Sequence, residues 1–218
     1  MTINEILSAF RVARQEAEGM LVRDGVSADE AATDAASYVS MPTVRRLSEA
    51  AIVLVEATLG MRLPQDLRSL IAALDLSTAK IWDADFRPMN GDCIDGISDA
   101  FLASVAGWTA SLHRVGSAID GLAFGTTQDG DYWVLRRDGA SGTPVCICDH
   151  AGMVLASCAS DFGAFLLSSA RAAASYYRRF GRVDDEEDWA ASVLEEALMD
   201  GVDAGWLELS IRSRPRPI

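Results

Sequence analysis

Apolar side chains within the first 13 residues recur every three to four positions, which is the period of an amphipathic helix. The predicted apolar stripe contains Ile3, Ile6, Leu7, Phe10, Val12 and Ala13. Ser27 followed three residues later by Glu30 is a capping-box pattern, and it predicts a second, short helix that reaches Ala36. The chain therefore begins with two predicted helices, which end before the break at Met41-Pro42-Thr43.

A third helix is predicted from about Val44 to Leu59, with an apolar face formed by Leu47, Ala51, Val55 and Leu59. Gly60 is well placed to end this helix, because glycine readily adopts the left-handed conformation that follows a helix. Pro64 then falls in the first turn of a fourth helix, where its missing N–H costs no hydrogen bond. From Ile81 to Ile119 the pattern is irregular, and it predicts only a short helix near Ser98 to Ala106.

Short strand-like runs separated by turn-forming residues predict a β-meander in the second half of the chain. The runs are Leu122–Gly125, Tyr132–Leu135, Val145–Cys148 and Met153–Ala156. Because the connections are too short for a parallel crossover, neighbouring strands must be antiparallel. We predict that Ser160 caps a long helix that ends near Phe180 and packs on this sheet, and that a last helix follows from Asp184 to Met199.

Helices, then a meander, then helices are typical of an α+β fold in which helices cover an antiparallel sheet. At 218 residues the chain can bury a core without disulfides. We predict three parts: a helical N-terminal extension at 1–45, an α+β domain at 46–180, and an acidic C-terminal helix with its tail at 181–218.

The charge of the chain limits its partners, since 32 acidic and 19 basic residues give a net charge of −13. A surface this acidic repels nucleic-acid phosphates and anionic lipids, so we expect neither nucleic acid nor a membrane as a direct partner. The apolar runs fall far short of the roughly 18 residues that a bilayer-spanning helix needs, and the first residues lack a signal-peptide pattern. We therefore expect a cytoplasmic protein.

Candidate catalytic residues are few, because the chain has two histidines, His113 and His150, and four cysteines. Cys146 and Cys148 lie two positions apart in one predicted strand, so both side chains point to the same face of the sheet. The simplest interpretation is that both are buried, reduced thiols. Asp149 and His150 lie in a predicted turn, and the spacings typical of nucleophilic or metal sites are missing. We predict no cofactor, no metal and no enzymatic activity.

Carboxylates cluster in two places. Nine acidic and no basic residues lie from Asp184 to Asp203, and the helix dipole accounts for the first five but not for Glu195, Glu196, Asp200 and Asp203. A solvated face and a partner-binding face both explain those four residues. The turns of the meander carry the second group, Asp129, Asp131 and Asp149, for which turn chemistry is the simpler explanation.

Several short strings follow one another in a distinctive order. Leu59-Gly60 and Leu63-Pro64-Gln65-Asp66-Leu67 join the third and fourth predicted helices. Further along come Gly130-Asp131 before a strand, Pro144-Val145 at the next, Asp149-His150, and Ser160-Asp161-Phe162 at the start of the long helix. In this order the strings resemble the motifs of the SUKH superfamily over roughly Glu49 to Tyr177, although Asp161 interrupts the usual Ser-Phe pair.

The resemblance implies a protein that acts by binding, since the superfamily includes bacterial immunity proteins that neutralise toxins and fungal regulators of cell-wall synthesis. The leading hypothesis is an immunity protein that blocks a cognate toxin, such as a nuclease, in bacterial competition. A regulatory or scaffolding module without a toxin partner is the alternative, and an enzyme of unknown activity comes third. The predicted partner-binding residues are Glu195, Glu196, Asp200, Asp203, Asp129, Asp131 and Asp149. The oligomeric state stays open.

Overall fold

The computed structural model describes residues 2–81, 84–86, 97, 99–114, 120–127, 130–137, 143–149 and 154–179. The helices are α1 (Ile3–Arg23), α2 (Ala28–Tyr38), α3 (Glu49–Leu59), α4 (Gln65–Ile71), α5 (Ala100–Arg114) and α6 (Phe162–Arg179). The strands are β1 (Thr43–Val44), β2 (Leu74–Asp75), β3 (Lys80–Ile81), β4 (Ala84–Asp85), β5 (Gly121–Thr126), β6 (Tyr132–Arg136), β7 (Val145–Cys148) and β8 (Val154–Ala159). Helices combined with antiparallel strands confirm the predicted α+β fold class.

The chain divides into two compact units. Among the described residues, the first unit contains 2–41, 80–81 and 166–179. The second unit contains 42–79 and the described residues within 84–165. Helix α6 therefore contributes its first turn to the second unit and its remaining turns to the first.

In the first unit, α1 buries a stripe close to the predicted one. Its N-terminus has the capping-box geometry, in which the Glu5 N–H donates to the Thr2 hydroxyl at 3.2 Å. The buried residues are Ile6, Phe10, Ala13, Ala17, Met20 and Leu21. Val12 is 41% exposed and Leu7 is partly exposed, so the prediction was wrong at Val12, which lies off the buried face of the helix.

Helix α2 begins as predicted, with the hydroxyl of Ser27 accepting the N–H of Glu30 at 3.4 Å. It continues two residues beyond the predicted end at Ala36, to Tyr38. After the helix, Ser40 and Lys80 form an antiparallel bridge, in which the Ser40 N–H donates to the Lys80 carbonyl at 2.9 Å. This bridge connects the segment after α2 to β3 within the first unit.

Arginines hold α1 to the C-terminal part of α6 in the first unit. Arg23, in the last turn of α1, donates from Nη2 to the carbonyl of Tyr177 at 2.5 Å. Arg178 pairs with Glu16, with Nε and Oε1 3.0 Å apart. Arg178, near the C-terminal end of α6, thus has a structural role in the first unit, at a place where the helix dipole also favours a positive charge.

In the second unit, α3 begins later than predicted. Val44 is not helical but lies in β1, which pairs antiparallel with β2 in the register Thr43–Asp75 and Val44–Leu74. The helix starts at Glu49, and the Ser48 hydroxyl caps it. The predicted apolar stripe was right in part: Val55 is buried and Leu47, Ala51 and Leu59 are half-buried, but the stripe left out Ile52, the second buried residue of the helix.

The predicted meander is confirmed. Within the second unit the strands follow the order β4-β5-β6-β7-β8, and each described neighbouring pair is antiparallel. Between β6 and β7 the register runs from Tyr132–Cys148 to Leu135–Val145. The short strands β1 to β4 were not predicted, because two residues are too few to show an alternating pattern.

Helix α5 is longer than the predicted segment and ends at Arg114. Its start is capped by Asp99, whose Oδ1 accepts the N–H of Leu102 at 3.0 Å. Further along, the Thr109 hydroxyl accepts the N–H of Ala123 in β5 at 3.1 Å and donates to its carbonyl at 3.3 Å. Trp108 and Leu112 pack in one buried cluster with sheet residues, namely Ala123, Val134, Cys146 and Cys148. This tertiary packing extends the helix where the local pattern was weak.

The first turn of α6 packs on the meander, as predicted. The rings of Phe162 and Phe124 lie 4.8 Å apart in an edge-to-face arrangement, and those of Phe165 and Trp133 lie 4.7 Å apart. The predicted cap at Ser160 was wrong, because the Asp161 carboxylate accepts the N–H of Ala164 at 2.8 Å.

The predicted C-terminal helix and tail, at 181–218, lie outside the described residues. In the part that the structure describes, no helix has the length and apolar character needed to cross a membrane.

Candidate functional site

Two of the predicted partner-binding carboxylates lie together at one end of the sheet. Asp131 precedes Tyr132 and Asp149 follows Cys148, and Tyr132 and Cys148 are paired across β6 and β7. Asp131 and Asp149 therefore lie side by side, one residue beyond that pair, and both are partly exposed. The β5–β6 and β7–β8 connections emerge at this same end because the strands are antiparallel. We call this end of the sheet, with Asp131 and Asp149, the acidic edge.

Hydrogen bonds between Thr127 and Asp131 shape the β5–β6 connection. The Asp131 N–H donates to the Thr127 hydroxyl at 3.1 Å, and the Thr127 N–H donates to the Asp131 carbonyl at 2.8 Å. Gly130 has a φ of 87°, a left-handed conformation that favours glycine. These bonds and Gly130 fix the backbone at Asp131 through the hydroxyl of Thr127 and the main chain of Asp131.

The remaining predicted partner-binding residues cannot be placed by geometry. Asp129 lies outside the described residues, as do Glu195, Glu196, Asp200 and Asp203 of the acidic C-terminal segment. Their role in partner binding therefore stays a prediction from the sequence.

Cys148, the residue before Asp149, is unsuited to nucleophilic chemistry. Cys146, Cys148 and Cys158 are buried, reduced thiols, whereas Cys93 lies outside the described residues. Burial raises the pKa of Cys148 to about 12, with further contributions from Cys146 and from the carboxylates at the acidic edge. A thiol with this pKa stays protonated at neutral pH and is a poor nucleophile.

His113 belongs to no metal-binding cluster among the described residues. His113 is exposed near the end of α5, and His150 lies outside the described residues. Among the described side chains, no group of three or more histidines, cysteines and carboxylates is arranged to hold a metal ion. The expectation that His113 and His150 lie too far apart to share a substrate therefore stays a prediction from the sequence.

A second candidate surface lies along α3 and the connection to α4. An open groove of about 820 Å³ passes over both segments. Glu56 connects the two segments along one wall of the groove. Its carboxylate accepts the N–H of Leu63 at 3.0 Å and forms an ion pair with Arg68. Arg68 also contacts Glu49. The sequence analysis missed this groove. The signal that could have indicated it is the composition of α3, in which apolar residues occupy both the buried and the exposed faces.

The motif residues around this groove have structural roles. Gly60 adopts a left-handed conformation, with φ 65°, and ends α3 as predicted. Leu63 and Leu67 are buried. The carboxylate of Asp66 accepts the N–H of Phe162, the first residue of α6, at 2.8 Å. The string Leu59 to Leu67 thus ends one helix, begins another and caps a third within the second unit.

A family model, described as the SMI1 / KNR4 family (SUKH-1), matches residues 46–168 of the chain. The chain belongs to this family. The matched SUKH-1 segment contains the groove, the meander and the acidic edge, as well as the α3–α4 string and the start of α6. No curated protein and no solved structure matched the chain.

Membership in SUKH-1 supports a role in binding other proteins, of the general kind that immunity proteins have. Asp161, which interrupts the usual Ser-Phe pair, has a structural role in this chain, because its carboxylate caps α6. The resemblance inferred from the motif strings is therefore confirmed.

Proposed function

We propose that this SUKH-1 protein is an immunity protein that binds a cognate toxin and neutralises it in bacterial competition. The observation that carries the proposal is the family match over 46–168, which includes the strings that the resemblance was based on. The toxin that suits this chain is basic, with an active-site cleft of the kind that nucleases use to bind phosphates. The chain itself acts by occupying that cleft and carries out no chemistry.

Charge supports this choice of partner. The net charge of −13 favours rapid encounter with a basic protein, because long-range attraction raises association rates. Asp131 and Asp149 supply carboxylates at one end of the sheet, and Glu195, Glu196, Asp200 and Asp203 are the proposed second group. Buried apolar contacts would determine how slowly the complex dissociates.

The test uses the full chain and the protein encoded by the neighbouring gene. We expect the two purified proteins to form a stable complex and the toxic activity of the second protein to be lost in that complex. A neighbouring gene product that fails to bind would contradict the proposal. A complex that leaves toxicity unchanged would favour the alternative, a regulatory or scaffolding module.

The acidic edge can be tested separately by the double variant D131N/D149N. We expect slower association with the toxin, by about twofold to tenfold at low ionic strength, because two carboxylates of the proposed contact surface become neutral. The matched control is D29N/D34N, which removes two exposed carboxylates from α2. Equal association rates for the two variants would exclude the acidic edge from the contact surface.

A further inference from the structure

The exposed face of α3 is apolar. Of the residues in this helix, only Ile52 and Val55 are buried. Val53 and Leu54 are each 50% exposed, and Ala50, Ala57 and Thr58 are exposed beside them. A surface helix ordinarily directs polar residues to solvent, as the exposed positions of α1 and α2 largely do. An apolar helix face next to an open groove is typical of a surface that another protein covers.

Opposite charges lie at the two ends of this face. Glu49 is the first residue of α3, and 70% of its side chain is exposed although it contacts Arg68. Arg62 is exposed just beyond the C-terminal end of the helix, and both residues line the groove. From Glu49 to Gly60 the helix rises by about 16 Å. The face therefore has an acid at one end, apolar residues in the middle and a base at the other end.

We propose that a second copy of this chain covers the face, with the two α3 helices antiparallel across a two-fold axis. Glu49 then lies near the partner subunit's Arg62, and the same contact occurs twice because the interface is isologous. Val53 and Leu54 form the apolar centre of the interface, and the charged pairs form its rim. The proposal concerns self-association and does not depend on the proposed toxin.

The arrangement of charge favours a second copy over a basic toxin. A basic partner requires free carboxylates, and Glu56 is only 12% exposed, held by Arg68 and by the N–H of Leu63. Glu49 remains, but Arg62 lies on the same groove and would repel a strongly basic surface. Because this face carries an acid at one end and a base at the other, two copies in the antiparallel arrangement bring opposite charges together.

The first experiment compares two double variants of the full chain. V53E/L54K places charges in the centre of the apolar face, uses residues with good helix propensity and leaves the net charge unchanged. The matched control, V12E/V22K, makes the same replacements at two exposed valines of α1, which are 41% and 47% exposed. Sedimentation equilibrium from about 1 to 100 μM measures the dimer, because its population depends on concentration.

We expect the wild type and V12E/V22K to dimerise in that range, and V53E/L54K to raise the dissociation constant by at least about tenfold, since it puts charges into the interface centre. Circular dichroism and thermal melting check that each variant folds. A wild type that stays monomeric throughout the range would overturn the proposal, and so would a V53E/L54K variant that dimerises normally. A monomeric wild type whose toxin binding is lost in V53E/L54K would assign the face to the toxin instead.

The second experiment tests the antiparallel arrangement through charge exchange. E49R and R62E should each raise the dimer dissociation constant by about twofold to thirtyfold, because each reversal changes two exposed ion pairs in the symmetric dimer. The double variant E49R/R62E should bind its own partner copy more tightly than the two single effects added together would give, since the pairs between subunits form again with exchanged signs, although the contact between Glu49 and Arg68 within each chain stays lost. If the losses in dimerisation free energy of E49R and R62E simply add in the double variant, Glu49 does not pair with the partner subunit's Arg62.

Discussion

Asp66 links separate parts of the fold through a single carboxylate. It lies in the first turn of α4, and it accepts the N–H of Phe162 at the start of α6 with a distance of 2.8 Å. The first N–H groups of a helix lack partners within the helix, so a carboxylate at this position satisfies one of them and interacts favourably with the helix dipole. Asp161 satisfies another, at Ala164. These two residues fix where α6 begins above the aromatic side chains of the sheet.

We predict that D66A lowers the free energy of unfolding by about 1 to 2 kcal/mol, because the N–H of Phe162 loses its acceptor in a partly buried place. D66N should lose less, since the amide oxygen can still accept this hydrogen bond. Urea denaturation followed by circular dichroism measures both. The control is D34A, at an exposed position of α2, and a D66A effect no larger than that of D34A would contradict the role given to Asp66.

Cys148 predicts a dependence of stability on pH. Burial raises the pKa of its thiol from an ordinary value of 9.0 to about 12, so the folded state keeps the proton to higher pH than the unfolded state. The resulting contribution is complete below pH 9 and is lost as the pH rises toward 12, because only the unfolded chain ionises in that interval. The slope is at most about 1.4 kcal/mol per pH unit for one group.

This contribution can be isolated by comparing the wild type with C148A in urea denaturation from pH 8 to about 10.5, a range in which the thiol of the unfolded chain ionises. We expect the free energy of unfolding of the wild type to fall more steeply with pH than that of C148A. Parallel pH profiles would show that the Cys148 thiol ionises equally in the folded and unfolded states.

Among the helices, some boundaries follow from local sequence signals and others from packing on the sheet. Local signals placed α2, the end of α3 and the start of α4 well, because Ser27, Gly60 and Pro64 act within one turn of their own positions. Helix α5 depends on the sheet, since Trp108 and Leu112 pack on β-strand residues and Thr109 bonds to Ala123. The acidic C-terminal segment, predicted to form a helix, can be tested for a role in partner binding.

Reversing the charge of Glu195, Glu196, Asp200 and Asp203 tests the function of that segment. We expect the lysine variant to associate with the toxin about tenfold more slowly at low salt and to show a weaker salt dependence, because the segment would then repel a basic partner. The dissociation rate should change less, since apolar contacts determine it. Stopped-flow association at several ionic strengths provides the measurement. Rates and salt slopes equal to those of the wild type would identify the segment as a solvated face.

For the molecule as a whole, the net charge predicts that a basic protein binds and that nucleic acid does not. A chain with a charge of −13 should bind a basic toxin with an association rate that falls about tenfold or more from roughly 10 to 200 mM salt, because the Debye length shortens over this range. The same chain should not bind duplex DNA at any of these salt concentrations. An association rate independent of salt would show that charge does not guide the encounter.

Much of the fold could be predicted from the sequence. Turn residues and alternating apolar runs led to the meander strands β5 to β8, and connection length led to their antiparallel order. The cap of α6 at Asp161 was missed because Ser160 and Asp161 are both good capping residues, and only the backbone geometry distinguishes them. The start of α3 was missed because Val44 pairs with Leu74, a residue 30 positions away.

The candidate sites were predicted less completely. The sequence identified Asp131 and Asp149 as separate turn residues, and the register of β6 with β7 brings them together. The groove along α3 was not predicted, because a helix rich in apolar residues is compatible with full burial, and its exposure depends on which other elements cover it.

Local features of the chain follow from its sequence alone, namely the helix boundaries at Ser27 and Gly60, the net charge and the motif strings of SUKH-1. Each of these depends on interactions within a few residues or on composition alone. Three further features depend on how the chain folds: Asp66 caps α6, Asp131 and Asp149 lie at one end of the sheet, and Val53 and Leu54 are exposed. Those outcomes depend on contacts between residues far apart in sequence, which local propensity does not encode.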